Sequence, residues 1–256
     1  MLIPELFRSL QIKADDKTVA GFSRAQIIGA DAVGLLPMPF ILRLWNPGES
    51  DYNGIAAAKT VLVLAGESML ASGDIADVCR RSVQEGTMTE VVFSQGLRLW
   101  EAPISLSIEA GATVSETVRG ILDASGTGIS LLAFPENDPV RGRAQAFFGG
   151  AVECVLEAVS AVDGRAYLTP SGLVVYRAEE IPVSMLLTED DLIDAPAFVG
   201  KHLAVLRTRV RGWPLGKKIS VKWKEISFQG VITERGVDAD TKEGNWESQL
   251  VVEVEV

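Results

Sequence analysis

The chain has 256 residues, room for one large domain or two small ones. Apolar residues make up 47% and charged residues 23%, a composition that fills a core and argues against disorder. A net charge of −10 argues against nucleic acid as a partner of the whole surface. The sole histidine is His202 and the only cysteines are Cys79 and Cys154, which excludes a His-rich metal site and a zinc knuckle. What remains is carboxylate chemistry, binding or assembly. Met1-Leu2-Ile3-Pro4-Glu5 has no basic n-region and leads into no long apolar run, so no signal peptide is expected. No apolar stretch approaches the ~20 residues that span a bilayer. Both thiols are therefore expected to be reduced and buried.

The first hundred residues read as mostly β. Thr18–Phe22 is a short alternating segment, and Phe40–Trp45 is an apolar strand stopped by Asn46-Pro47-Gly48. Asp51–Lys59 carries alanines and reads as one or two helical turns. Further strands are expected at Thr60–Ala65, at Met69–Val78 with Gly73 as a bulge, and at Thr87–Ser94. Such short strands, spaced by about ten residues, suggest a barrel or sandwich.

The period then changes. Val114, Val118, Ile121 and Leu122 form the apolar stripe of an amphipathic helix. Thr113 is its expected N-cap, Glu116 completes a capping box, and Gly126-Thr127-Gly128 ends it. Gln145–Val162 reads as a second helix, with Val152, Leu156 and Val159 on one face and Glu153 and Glu157 on another. Cys154 belongs to its core side. Arg165–Pro170 and Ser171–Tyr176 read as a β-hairpin. Leu203–Val210, Lys218–Trp223, Ser227–Ile232 and Ser248–Val256 are four further strands, with Trp213-Pro214-Leu215-Gly216 as a turn between the first two.

Few residues could carry chemistry. Glu189-Asp190-Asp191 with Asp194 is the densest carboxylate cluster, and it reads as the first turn of a short helix capped by Thr188. Asp238–Gly244 lacks the glycine and glutamate of an EF-hand and reads as a solvated hairpin loop. Gly66-Glu67-Ser68-Met69-Leu70 lacks the second glycine of a nucleophile elbow. Gly126-Thr127-Gly128 lacks the third glycine and the strand–turn–helix context of a dinucleotide site. One feature stands out. Residues 201–224 hold Lys201, Arg207, Arg209, Arg211, Lys217, Lys218, Lys222 and Lys224 and no acidic residue, between acidic flanks. This run reads either as a solvated face of a sheet or as a basic surface for an acidic partner or a phosphate backbone.

The order of elements resembles the tail and baseplate hub proteins of tailed phages. In the N-terminal part the resemblance rests on Ile41–Leu44 ending in Trp45-Asn46-Pro47 and on Val61–Ala65 ending in Gly66. It continues through Gly73-Asp74-Ile75, the strand Gly86–Ser94, and Gln95-Gly96 followed by Ile108–Leu122. In the C-terminal part it rests on the hairpin Gly164–Val175, on Leu187–Pro196 as the lead into a second barrel, and on Gly244-Asn245-Trp246-Glu247 before the last strand. The chain departs from the family at Thr208-Arg209-Val210-Arg211 and at Arg235-Gly236-Val237-Asp238.

This resemblance implies an α+β, mainly β protein. Two similar small β-barrel, tail-tube-like domains (1–104 and 181–256) would flank a helix, helix and hairpin segment (105–180). It implies a homotrimer whose six barrels form a pseudo-sixfold ring between a sixfold tail tube protein and a threefold central spike protein. DNA would pass through the lumen without specific binding. It implies a virion component of the tail or baseplate, made in the host cytoplasm, with no enzymatic activity, cofactor, membrane or small-molecule substrate. The eight basic residues of 201–224 are then the candidate interface. A competing reading is a monomeric β-barrel module that binds a carbohydrate or peptide at a barrel mouth. A third, a cell-wall hydrolase attached to tail machinery, finds no nucleophile motif to support it.

Overall fold

The computed structural model describes residues 8–255, so the expectation for Met1–Glu5 and the Val256 end of the last predicted strand lie outside the described residues. In chain order the elements begin with β1 (Gln11–Ala14), β2 (Lys17–Val19), β3 (Arg24–Ala32), β4 (Pro39–Trp45) and α1 (Glu49–Ala57). Next come β5 (Thr60–Ala65), β6 (Ser68–Val83), β7 (Gly86–Ser94), α2 (Leu97–Glu101) and β8 (Pro103–Ile108). The middle holds α3 (Val114–Ser125), β9 (Leu131–Ala133), β10 (Gln145–Gly150), α4 (Ala151–Ser160), β11 (Arg165–Thr169) and β12 (Gly172–Tyr176). The last third holds β13 (Val183–Leu187), β14 (Ala197–Val199), β15 (Leu203–Arg209), β16 (Lys218–Trp223), β17 (Ile226–Asp240) and β18 (Trp246–Val254).

The fold is mainly β with four α-helices, but two separate closed barrels are not what forms. Thirteen strands make one continuous sheet in the order β14-β15-β18-β17-β3-β4-β7-β6-β5-β1-β2, with β16 also on β17 and β13 on β16. Hydrogen bonding closes neither half of the sheet on itself among the described residues. β3 lies between β4 and β17 and so joins the N-terminal strands to the C-terminal ones.

Within this sheet one plan is used twice. The N-terminal strands stand in the order β3-β4-β7-β6-β5-β1, and the C-terminal ones in the order β14-β15-β18-β17-β16-β13. Taken in chain order, the members correspond one to one, with β2 as an addition. One orientation differs: β1 is antiparallel to β5, whereas β13 is parallel to β16. The long strands β6 and β17 each bend at a bulge, Ala76 in one and Thr233 in the other. The register on either side also matches. Ile75 faces Phe93 before the first bulge and Val78 faces Val91 after it; Ile232 faces Val252 and Arg235 faces Leu250 around the second.

The bend explains two glycines. Gly73 and Gly230 occupy equivalent positions just before the bulges. A Cβ on Gly73 would lie 2.5 Å from the Ser94 carbonyl oxygen, and one on Gly230 would lie 2.4 Å from that of Glu253. Backbone is pressed against backbone at both, so Gly73→Ala and Gly230→Ala should each cost roughly 1–3 kcal/mol in urea denaturation. Gly54 in α1 has no atom within 4 Å of its added Cβ. Gly54→Ala should instead stabilise by about 0.5–1 kcal/mol. Equal effects at all three positions would sink the close-approach argument.

Three apolar clusters fill the molecule. The first lies under β1–β7 and α1 and includes Ile12, Ile27, Phe40, Leu42, Val63 and Phe93. The second packs α3 and α4 against β8, β10 and the β11–β12 hairpin, around Val118, Ile121, Phe147, Val155 and Leu173. The third lies under β15–β18 and includes Leu206, Trp213, Ile219, Val221, Leu250 and Val252.

The capping box of α3 is present. Thr113 Oγ1 accepts from the Glu116 N–H at 3.2 Å, and Glu116 Oε2 accepts from the Thr113 N–H at 2.8 Å. Gly126 ends the helix with φ of 64°. The first third of the predicted helix Gln145–Val162 is the strand β10 instead. Phe147 is buried between exposed Ala146 and Phe148, a period of two, and pairs with Leu106 of β8. Gly149, with φ of 116°, then turns the chain into α4. The carboxylates Glu189–Asp191 begin no helix: Asp191 Oδ2 accepts from the Thr188 N–H at 3.0 Å and closes a turn. Other strands run differently from the sequence pattern. β6 continues to Val83, β17 continues to Asp240, and β1, β3, β8, β9, β13 and β14 were not expected at all.

Candidate assembly edges

The join between the two halves of the sheet is built by β3 and β17, antiparallel from Ala32 opposite Glu234 to Gln26 opposite Asp240. An ion pair fixes each end. Arg235 donates from Nε and Nη2 to the two oxygens of Asp31, both at 2.7 Å, and from Nη1 to the Trp213 carbonyl at 2.7 Å. At the other end Arg24 Nε donates to Asp240 Oδ1 at 3.0 Å and Nη2 to Oδ2 at 2.5 Å. The Arg24 guanidinium also lies 4.5 Å from the centre of the Trp45 ring. Two-pronged arginine–carboxylate contacts are directional, so they fix register as well as adding energy.

Asp240 is buried, at 1% exposure, so the reading of Asp238–Gly244 as a solvated loop is wrong for its first residues. Burial acts to raise its carboxyl pKa. Arg24 and the N–H groups of Lys242 and Glu243 outweigh this and hold it below the ordinary carboxylate value. Sequence reasoning missed all four joint residues. Asp31 and Arg235 interrupt apolar alternation, which made their strands look like loops.

Among the described residues the sheet has open edges at β2 and β13 and at two further places that correspond to the strands of this join. The second half of β6, Asp77–Val83, has β7 on one side and, among the described residues, no strand on the other. Its side chains are mostly exposed, whereas the equivalent half of β17 is covered by β3. At the opposite end of the sheet, β14 pairs, among the described residues, only with β15. Around that edge Ile193, Phe198, Val199 and Leu203 are exposed apolar side chains, Val199 at 58%. Cys154 is buried as expected, but Cys79 lies on the open edge of β6 and is half-exposed.

The structure divides the basic run between two strands that are not neighbours, since β18 and β17 stand between β15 and β16. Arg207 on β15 donates to Asp194 at 2.7 Å and to Glu247 at 2.6 Å. Lys218 on β16 lies 2.6 Å from Glu255. Arg211, in the loop after β15, lies over the Trp213 ring, and Lys224, in the turn after β16, lies over the Trp223 ring. Arg209 ends β15, Lys222 is exposed on β16, Lys217 is exposed just before β16, and Lys201 is exposed in the turn before β15. His202 is exposed in that same turn, and its carbonyl accepts from the Val254 N–H.

A groove of 390 Å³ runs between the β5–β6 hairpin and the β11–β12 hairpin. Its charged groups are engaged within the chain. Arg98 Nε donates to Asp74 at 2.6 Å, and Asp15 accepts from the Thr60 and Lys59 N–H groups. Backbone donation from Thr60, above all, lowers the Asp15 carboxyl pKa. Among the described residues no three His, Cys, Asp or Glu side chains gather as a metal set.

One chain that carries the same six-strand plan twice, joined edge to edge, has the fold of the tail proteins of phages and prophages. The solved structures it resembles include the tail protein from Neisseria meningitidis MC58, at 12% identity over 95% of each chain and a TM-score of 0.72. The 43 kDa tail protein of prophage MuSo2 from Shewanella oneidensis matches at 11% identity over 96% of each chain, with a TM-score of 0.71. An E. coli component of the type VI secretion system, described as structurally similar to the T4 bacteriophage tail proteins gp27 and gp5, matches at 12% identity. That match covers 97% of this chain and 77% of the other, with a TM-score of 0.73. No protein-family profile matches the chain, and no curated protein matches it.

Proposed function

We propose that the chain is a structural hub of a phage or prophage tail. Three copies form a ring that adapts a sixfold tail tube to a threefold central spike and lets DNA pass. It works by assembly, without catalysis or cofactor, and belongs to the virion tail. Its building units are 1–104, 105–180 and 181–256, the outer two being tube-like. The observation that carries this reading is the duplicated strand order: three chains with two equivalent units each give six positions around one axis. The described likeness of the E. coli secretion component to gp27 and gp5 supports the hub position.

Light scattering coupled to size exclusion, with negative-stain images, tests the reading. A closed ring of three chains is the expected result. A monomer at every concentration would overturn it and favour a single-chain binding module using the groove beside Arg98.

Lys201, Arg207, Arg209, Arg211, Lys217, Lys218, Lys222 and Lys224 are the proposed contacts to an acidic neighbour, with Arg207 and Lys218 already held by carboxylates of their own chain. Arg209→Glu with Arg211→Glu should weaken assembly at low salt and change little at high salt. Sedimentation across a salt series checks this, and equal assembly of variant and wild type would leave these side chains as solvated surface.

A further inference from the structure

We propose that the open edge of β6 is completed by β14 of a second copy, in the way β17 is completed by β3 within one chain. The inference rests on the ring reading above and names its joint. Its basis is the repeated plan. β6 corresponds to β17 and β14 to β3, in strand order, in the position of the bulge and in the bend glycine. Inside the chain, the β3-type edge meets the bulged half of the β17-type strand. The other member of each equivalent pair, the bulged half of β6 and the outer edge of β14, has no strand beside it among the described residues. Each unit thus has one donor edge and one acceptor edge, and a chain uses one of each internally. The two left over suit a head-to-tail contact between copies, the kind that closes into a ring.

Surface chemistry points the same way. An open strand edge flanked by exposed apolar side chains invites pairing. Phe198 and Val199 lie on the β14 edge, at 48% and 58% exposure. Transferring the β3–β17 register sets Val199 opposite Cys79 and Phe198 opposite Arg80. The positions of Asp31 and Arg235 fall on Gly200 and Val78, so the joint between copies lacks that ion pair. β14 is also only three residues long, against nine for β3. The contact between copies is therefore the weaker of the two joints, separable where the internal one is permanent.

Cys79 provides a reporter. Directly opposed residues of an antiparallel ladder lie within disulfide reach. Val199→Cys should give, under oxidation, disulfide-linked dimers and trimers on a non-reducing gel. These should vanish in Val199→Cys with Cys79→Ser. Ala197→Cys, placed opposite Arg81, should link far less. Light scattering on the same samples separates the two levels of the argument. A trimer without disulfides overturns the β6–β14 joint and leaves the ring standing. A monomer without disulfides overturns both. Linkage of Ala197→Cys as strong as that of Val199→Cys overturns the register. Disulfide-linked ladders longer than three chains support the joint and overturn the closed threefold ring.

Discussion

Asp240→Ala should destabilise the protein by about 3–5 kcal/mol, the cost of leaving one member of a buried ion pair unpaired. The stranded group is Arg24, whose side chain is 17% exposed and lies against Trp45. The Lys242 and Glu243 N–H groups lose their acceptor in the same step. Asp240→Asn keeps an oxygen for those donors and should cost less than the alanine. Urea denaturation of the three proteins at neutral pH measures this, and an alanine variant within about 0.5 kcal/mol of wild type would show that the joint does not depend on the pair. The acid limb gives an independent check. The folded pKa of Asp240 is lowered relative to its unfolded value, so its contribution is fully present above the unfolded pKa of about 3.9 and is lost as pH falls toward the folded value. Asp240→Asn should therefore flatten the loss of stability below about pH 4.

How much of this was legible follows from where side chains repeat and where they do not. β4, β5, β7, α3 and the β11–β12 hairpin were readable because their apolar residues keep one period. Phe40, Leu42 and Leu44 alternate cleanly, and Val114, Val118, Ile121 and Leu122 keep the helical one. β3 was not readable. Its inward positions include Gly29, which lies against Phe40, and Asp31, which holds Arg235. Neither residue resembles a strand interior until its partner is known.

Two similar domains were implied by the resemblance, but the details of the duplication are invisible in sequence because the two copies pack with exchanged volumes. Gly29 faces Phe40 in one, and Phe198 faces Ala204 at the equivalent place in the other. The large residue has crossed to the partner strand. The bulges leave no compositional mark either, since Ala76 and Thr233 share nothing but position. The basic run misled through proximity in sequence. Arg207 and Lys218 are eleven residues apart, yet two whole strands lie between theirs in the sheet. The free edges were out of reach for the same reason: an edge is a statement about neighbours, and strand order must be known first.

Val118→Asp should cost roughly 4 kcal/mol or more, a large share of the 5–15 kcal/mol that holds an ordinary domain together. Val118 has no exposed surface and lies in the second cluster with Ile121, Val155 and Leu173. It stands at the centre of the stripe by which α3 meets α4, where a carboxylate would find apolar side chains. Val118→Ala removes bulk without adding charge and should cost about 2 kcal/mol, so the difference between the two variants isolates the charge. The expected pattern is selective. α3 and α4 should lose hydrogen-exchange protection first, because their cluster is separate from those beneath the large sheet. If Val118→Asp melts like wild type with α3 protected, the stripe is no core, and α3 becomes a surface for a neighbouring protein.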